Sequence, residues 1–236
     1  MSNQIKPPVL TIDGPGGSGK GTISQRVANI LGWHYLDSGA LYRLLALAAE
    51  NHSLALDDTE SLSLLAAHLD VEFRTLEAGN VQVLLEGEPV SEQIRTEDAG
   101  AAASIVAVIP AVRAALLDRQ RAFAVLPGLV ADGRDMGSAV FTSAEVKIFL
   151  TASAEARAER RYKQLKEKGL DVNLAQLFED ISARDARDSQ RESSPMIAAD
   201  DAVILDTTTL NIDEVVEQVL SHCQQWIQNE ETPISR

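Results

Sequence analysis

The sequence predicts an α/β fold built on a parallel sheet covered by helices. Three observations predict it. Short apolar runs alternate with stretches of helical periodicity along the chain. Each run closes on a polar or glycine-bearing turn, where such folds place ligands. A glycine-rich turn ending in lysine joins the first run to the first helical stretch.

The elements follow in order. Val9-Leu10-Thr11-Ile12 is the first strand and ends at Asp13-Gly14. A helix carries Ile23, Val27, Ile30 and Leu31 on one face, with Gly32 as its stop. His34-Tyr35-Leu36 is the second short strand. From Asp70 to Ile94 the alternation breaks into extended segments, Val71-Glu72-Phe73 and Val81-Gln82-Val83-Leu84-Leu85, joined by a turn at Ala78-Gly79-Asn80, which predicts a small antiparallel insert. One helix follows Glu97, and another opens on Pro110, a residue suited to a first helical position. Leu129-Val130-Ala131, Val146-Lys147-Ile148-Phe149-Leu150 and Ala202-Val203-Ile204-Leu205 read as three further buried strands. Helices begin at Ser153 and Asn173, the latter burying Leu174, Leu177, Phe178 and Ile181. Asn211 to Gln228 reads as a C-terminal helix followed by a polar tail.

Charge narrows the partners. The 236 residues hold 21 Lys+Arg against 35 Asp+Glu, a formal net charge of −14. Such a surface repels phosphate backbones, so general binding of nucleic acid or an anionic membrane is not expected. Aromatics are 4%, too few for a stacking platform on single strands. Cys223 stands alone, which excludes an internal disulfide and two-cysteine metal sites and fits a reducing compartment. Met1 to Val9 has no apolar signal core, and the longest mostly apolar stretch, Gly100 to Val112, is too short to span a bilayer. A soluble, cytoplasmic protein is the expectation. Any polyanionic ligand must be held by a local cluster of positive groups.

Such a cluster is written into the chain. Gly14-Pro15-Gly16-Gly17-Ser18-Gly19-Lys20-Gly21-Thr22 lies between a strand and a helix. Phosphates need closely approaching backbone N–H groups, and glycines permit that approach and its unusual dihedrals. The helix N-terminus adds a favourable dipole, and Lys20 brings a full charge to the terminal phosphates. The residue after Lys20 is Gly21 rather than Ser or Thr; the hydroxyl that holds Mg²⁺ in many such loops comes one place later, at Thr22, acting directly or through water.

Three further segments suit a second, anionic substrate. In Asp37-Ser38-Gly39-Ala40-Leu41-Tyr42-Arg43, Ser38 caps a helix and Arg43 projects one turn in, able to grip a phosphate bidentately. In Asp132-Gly133-Arg134-Asp135-Met136-Gly137, Asp132 ends a strand where a metal-associated carboxylate belongs, Arg134 suits an acceptor phosphate, and Asp135, an acceptor when ionised, suits an exocyclic amino group such as cytosine N4. Arg184, Asp188 and Arg191 share one helical face at i, i+4, i+7, with Arg187 adjacent. Taken alone that helix reads equally as one laced with ion pairs. From Lys147 to Arg191, however, ten Lys/Arg face eight Asp/Glu in an otherwise acidic chain, and six of the fifteen arginines lie there, Arg157, Arg160 and Arg161 among them. Phosphoryl transfer asks for such positive surroundings.

Together these segments resemble the bacterial-type cytidylate kinases, within the nucleoside monophosphate kinases, from about Pro8 to Gln228; the Gly-Lys-Gly-Thr ending of the loop and the Leu85-Glu86-Gly87 region fit as well. The resemblance implies a five-stranded parallel sheet with helices on both faces and a small antiparallel insert. It implies a core over residues 1–39, 109–156 and 193–236, an acceptor-nucleotide domain over 40–108 with its insert near 70–94, and a lid over 157–192. It further implies ATP and Mg²⁺ as cofactors, CMP or dCMP as acceptor, and a monomer. By matching position, Ser38, Arg43 and Arg134 would serve the acceptor phosphate; Ser104, Arg113 and Asp135 would face the cytosine; Arg184, Asp188 and Arg191 would serve the ribose, the base or the closing lid. Lys20, Arg134, Arg184 and Arg191 would surround the moving phosphoryl. A kinase of neutral alcohols needs a base for its hydroxyl, which the arginine-rich acceptor side disfavours. A guanine-nucleotide switch lacks its Asn-Lys-x-Asp string here. A purely structural domain leaves the phosphate loop unexplained.

Overall fold

The computed structural model describes residues 6–75, 81–167 and 169–231. In chain order the elements are β1 (Val9–Asp13), α1 (Lys20–Leu31), β2 (His34–Asp37), α2 (Ser38–Asn51), α3 (Thr59–Ala67), β3 (Val71–Thr75), β4 (Val81–Leu85), β5 (Glu88–Pro89) and α4 (Glu97–Val106). They continue with α5 (Pro110–Arg121), β6 (Leu129–Gly133), β7 (Val146–Thr151), α6 (Ala154–Glu167), α7 (Leu174–Ser189), β8 (Val203–Asp206) and α8 (Ile212–Glu231). The chain divides into two compact units, one made of the residues up to Asp37 with those from Gln120 onward, the other of Ser38–Arg119.

The first unit is organised by a five-stranded parallel sheet in the order β2-β6-β1-β7-β8. Every residue of β1 and β6 is buried, so both faces of the central strands are covered. Leu10, Ile12, Val130, Ile148 and Leu150 pack against Ile23, Val27 and Ala28 of α1 and against Val215, Val216, Val219 and Cys223 of α8. The register sets Ile12 beside Asp132 and Asp132 beside Asp37, so carboxylates on adjacent strands end side by side. The run at Ala202–Leu205 proves less buried than its composition predicts. β8 is an edge strand, and Ile204 is 62% exposed, because nothing in a run of apolar residues says whether a neighbour covers them.

In the second unit β3, β4 and β5 form an antiparallel sheet, with Phe73 paired to Val83. That is the insert the sequence predicts; its expected turn at Ala78-Gly79-Asn80 lies outside the described residues. α3 escaped the reading of the sequence. Asp58 caps it by accepting the Ser61 N–H at 3.1 Å, and Leu62 and Ala66 are its buried face. α4 is capped by Thr96, whose hydroxyl accepts the Ala99 N–H. α4 and α5 meet at a bend of 106°, and among the described residues no single helix is long and apolar enough to cross a membrane.

Two helix details depart from expectation. On α7, Leu177 is buried, but Leu174 and Phe178 stand 41% and 36% exposed. Helical periodicity marks an apolar stripe; it does not say how much of the stripe is covered. Ser38 is the first residue of α2 rather than its cap.

Gly32 ends α1 in the left-handed region, at φ 66°, with its N–H bonded back to the helix carbonyls of Ala28 and Asn29. A Cβ there would meet nothing within 4 Å, so its substitution isolates the conformational cost. Gly32→Ala is expected to lower stability by about 1 kcal/mol, read in urea as a lower midpoint at unchanged slope.

Candidate functional site

The glycine-rich turn spans the end of β1 and the start of α1. Gly14, Gly17 and Gly19 adopt φ of 145°, 76° and 87°. At Gly14 a side chain would also run into the Leu150 carbonyl oxygen of β7. The turn can therefore be built only from residues without a Cβ at these points, which is the physical content of the motif. Lys20 folds back over the loop, its Nζ donating to the Pro15 carbonyl at 3.0 Å.

Around the loop the first unit gathers most of the predicted charges. A Cβ on Gly16 would lie 3.7 Å from Arg134 Nη2 and 4.0 Å from Arg184 Nη1, so both arginines stand over the loop. Arg134 Nε donates to Asp188 Oδ2 at 2.9 Å, Arg184 Nε lies 4.0 Å from the same oxygen, and Arg191 Nε donates to the Asp188 carbonyl oxygen at 3.1 Å. Arg191 thus joins the cluster but not the helical face, since α7 ends at Ser189 and Arg191 lies past the Gln190 cap. Asp188 is nearly enclosed. Burial pushes its carboxyl up, yet Arg134, Arg184 and Arg191 outweigh burial and hold it below the usual carboxylate range.

The carboxylates under the loop behave in the opposite way. Burial raises Asp132, and the neighbouring Asp37 adds to the rise against the pull of Lys20 and Arg134; the Tyr35 hydroxyl donates to its Oδ2 at 3.4 Å. Burial, joined by the positive charge of Arg134, brings the Lys20 ammonium down to about 7, with Asp132 opposing. Asp13 was not singled out from the sequence. Its Oδ1 accepts the Met136 N–H at 2.7 Å and its Oδ2 the Gly137 N–H at 2.8 Å, which pins the wide turn at Met136–Val140 to the end of β1. Burial raises Asp13 to about 7 in spite of those two bonds. The argument applied to Asp132, a carboxylate closing a buried strand beside a phosphate loop, would have found Asp13. Arg157 counts in the arginine-rich stretch and Asp185 lies in the string Arg184-Asp185-Ala186-Arg187-Asp188, but the sequence assigns neither an individual role, because nothing local names their partners. Asp135, between Arg134 and the pinned turn, is 2% exposed.

Among the described residues no three His, Cys, Asp or Glu side chains gather as a metal site. Asp132 supplies a hard oxygen beside the loop, its Oδ2 3.3 Å from where a Cβ on Gly21 would stand, while Thr22 is exposed. That donor set suits Mg²⁺, which keeps several waters and takes its other ligands from phosphates, rather than a cation caged by protein.

The remaining predicted residues belong to the second unit. Ser38 is buried at the start of α2. Arg43 Nη1 donates to the Ile94 carbonyl at 3.2 Å. Arg113 is buried on α5; its guanidinium lies 5.6 Å from the centre of the Tyr42 ring, and its Nη1 donates to Ala107 O at 3.3 Å. Ala107 is the C-terminal cap of α4, which carries the buried Ser104. Arg113 therefore ties α5 to the helix bearing Ser104 and to α2.

Comparison with known proteins adds a family. The family described as cytidylate kinase matches residues 10–225. A cytidylate kinase of Colwellia psychrerythraea (strain 34H / ATCC BAA-681) is 58% identical over 217 residues, 92% of this chain and 96% of that one. One from Stutzerimonas stutzeri (strain A1501) is 60% identical over 219 residues, again 92% and 96%.

Lys20 yields a test of the cradle. A group brought down to about 7 is largely neutral at pH 8 in the free protein, and a bound triphosphate restores its charge. ATP binding at pH 8 is expected to take up protons, seen by calorimetry in buffers of different ionisation enthalpy. The uptake should vanish in Lys20→Met; binding heats that do not depend on the buffer would contradict it.

Proposed function

The chain belongs to the cytidylate kinase family, and from that premise we propose how its residues carry the γ-phosphoryl of ATP to the 5′-phosphate of CMP or dCMP. The observation that carries the reading is the setting of Lys20, Arg134 and Arg184 about a glycine cradle in a protein of net charge −14. The loop Gly14–Thr22 would hold the phosphates of ATP through its amides and Lys20. The acceptor phosphate is already an anion, so no strong base is needed; catalysis is positioning, charge neutralisation and exclusion of water. Arg134, Arg184 and Arg191 would neutralise the charge spread over the moving group.

Asp132 would hold Mg²⁺, through water, with Thr22 as its other protein group. When bound, the ion neutralises phosphate oxygens and helps to align them.

Within the first unit Arg134 would take the acceptor phosphate and Asp135 the cytosine; the roles expected for Ser38, Arg43, Ser104 and Arg113 toward the same nucleotide are carried by the second unit. Asp188 would reach the ribose once the arginines that hold it turn to phosphate. Residues 157–192 would close over the reaction as a lid, a step that limits turnover in many kinases. A cytoplasmic location, the expectation from the sequence, fits such nucleotide substrates.

The test is an ADP-release assay against CMP, dCMP, UMP and AMP. CMP and dCMP should turn over well above the other two; equal use of all four would overturn the reading. An ionised Asp135 accepts from the cytosine amino group and repels the uracil carbonyl. Asp135→Ala is therefore expected to lower kcat/KM for CMP by about tenfold to a hundredfold and to change UMP less. An unchanged CMP/UMP ratio would remove Asp135 from base reading.

A further inference from the structure

Arg157 lies in the first turns of α6, 4% exposed, and each of its three guanidinium nitrogens has a protein partner. Nε donates to the Ala152 carbonyl at 3.0 Å, Nη1 donates to the Gly16 carbonyl at 2.9 Å, and Nη2 is 2.5 Å from Asp185 Oδ2. Arg134 and Arg184, by contrast, stand over the loop. We propose that Arg157 is a positioning residue that orients the phosphate cradle and sets α7 against it; the inference rests on the kinase reading above.

The first part of the argument is the planarity of the peptide bond. The Gly16–Gly17 peptide is trans, so its C=O and N–H point in opposite directions. With neither residue carrying a side chain, and Gly17 at φ 76°, little in the loop itself stops that peptide from turning over. In the wrong orientation it would present a carbonyl oxygen to the triphosphate, repelling it. Arg157 holds the Gly16 oxygen on its own side and thereby turns the Gly17 N–H the other way. The backbone of Gly17 also rests on Arg157, where a Cβ would come 3.2 Å from Arg157 Cβ.

The second part runs through Asp185. It precedes Arg187 and Asp188 and follows Arg184 directly, so the Arg157–Asp185 pair fixes the stretch of α7 that delivers those side chains to the loop. A charge-assisted pair out of water holds geometry far better than a surface pair. One side chain thus sets both the amides that bind the donor and the arginines that meet it.

The two links predict different kinetic losses. Arg157→Met breaks both: KM for ATP should rise and kcat should fall, each by about tenfold or more. Asp185→Asn removes the charge from the link to α7 alone and weakens it: kcat should fall by about tenfold while KM for ATP and the dissociation constant of ATP stay within about twofold. Arg157→Lys keeps the charge but not the fork, and should bind ATP with intermediate strength. A purely structural role would lower the unfolding temperature without that split between KM and kcat. Parental ATP binding in folded Arg157→Met overturns the proposal. Should Arg157→Met not fold, parental ATP binding in Arg157→Lys together with parental kcat in Asp185→Asn overturns it. ATP binding is measured by calorimetry without acceptor, so the result is independent of the nucleotide preference. If the parental chain fails to phosphorylate CMP while Arg157→Met still loses ATP, the functional reading falls and the role of Arg157 stands.

Discussion

Four cationic side chains converging in one place is the constraint to which the first unit answers. Lys20, Arg134, Arg184 and Arg191 repel one another, and burial makes the repulsion costlier. The fold answers with carboxylates spaced among them. Asp188 takes three arginines at once, and Asp132 and Asp37 lie on neighbouring strands close to Lys20. The balance is uneven. The arginines hold Asp188 charged against its burial, whereas burial wins at Asp132 and Lys20 and leaves both with a weakened preference for their ions. A polyanionic ligand therefore meets cations whose present counter-ions are protein side chains, and it completes the charge balance rather than creating one.

The backbone must meet the same demand without side chains. The glycine turn is shaped from three sides: Leu150 of β7 closes on Gly14, α1 begins at its end, and Arg157 takes the Gly16 oxygen. Asp13 extends this order to the next strand, since its two oxygens hold the backbone just beyond Asp135. Parallel register makes the arrangement possible. β1, β6 and β2 end level with one another, so the loop after β1 and the carboxylates of β6 and β2 share one end of the sheet.

The parts legible in the sequence were those with local causes. Strand and helix periods placed all five parallel strands, and Gly32 stopped α1 where its freedom at positive φ is needed. The glycine spacing identified the cradle because the residue type is itself the steric requirement. The partner of Arg157 was hidden for the converse reason: an arginine in an amphipathic helix carries no sign of which carbonyl it will reach in the fold. Asp13 read as the end of a strand because its bonds go to backbone more than a hundred positions away. Ile204 and Phe178 were misjudged because covering a face is a property of the neighbour, not of the face.

The division of the chain into two units bears on how such a protein acquires its specificity. The cations gathered about the loop, from Lys20 through Arg134 to the α7 arginines, belong to the sheet-bearing unit. Ser38, Arg43, Ser104 and Arg113 belong to a single contiguous segment with its own helices and antiparallel sheet, held by contacts within that segment such as Arg43 to Ile94 and Arg113 to Ala107. Under the acceptor roles proposed for those residues, changes that retune base recognition would fall in that segment and leave Lys20, Arg134 and Arg184 unaltered. Asp135 is the exception, because it sits in the sheet-bearing unit beside Arg134 and next to backbone that Asp13 fixes. The base discrimination proposed for Asp135 would thus rest on a carboxylate whose neighbouring backbone, at Met136 and Gly137, is held by two hydrogen bonds to Asp13. That is where a selection resting on one hydrogen-bond donor gains most, since a mobile acceptor would turn to satisfy either base.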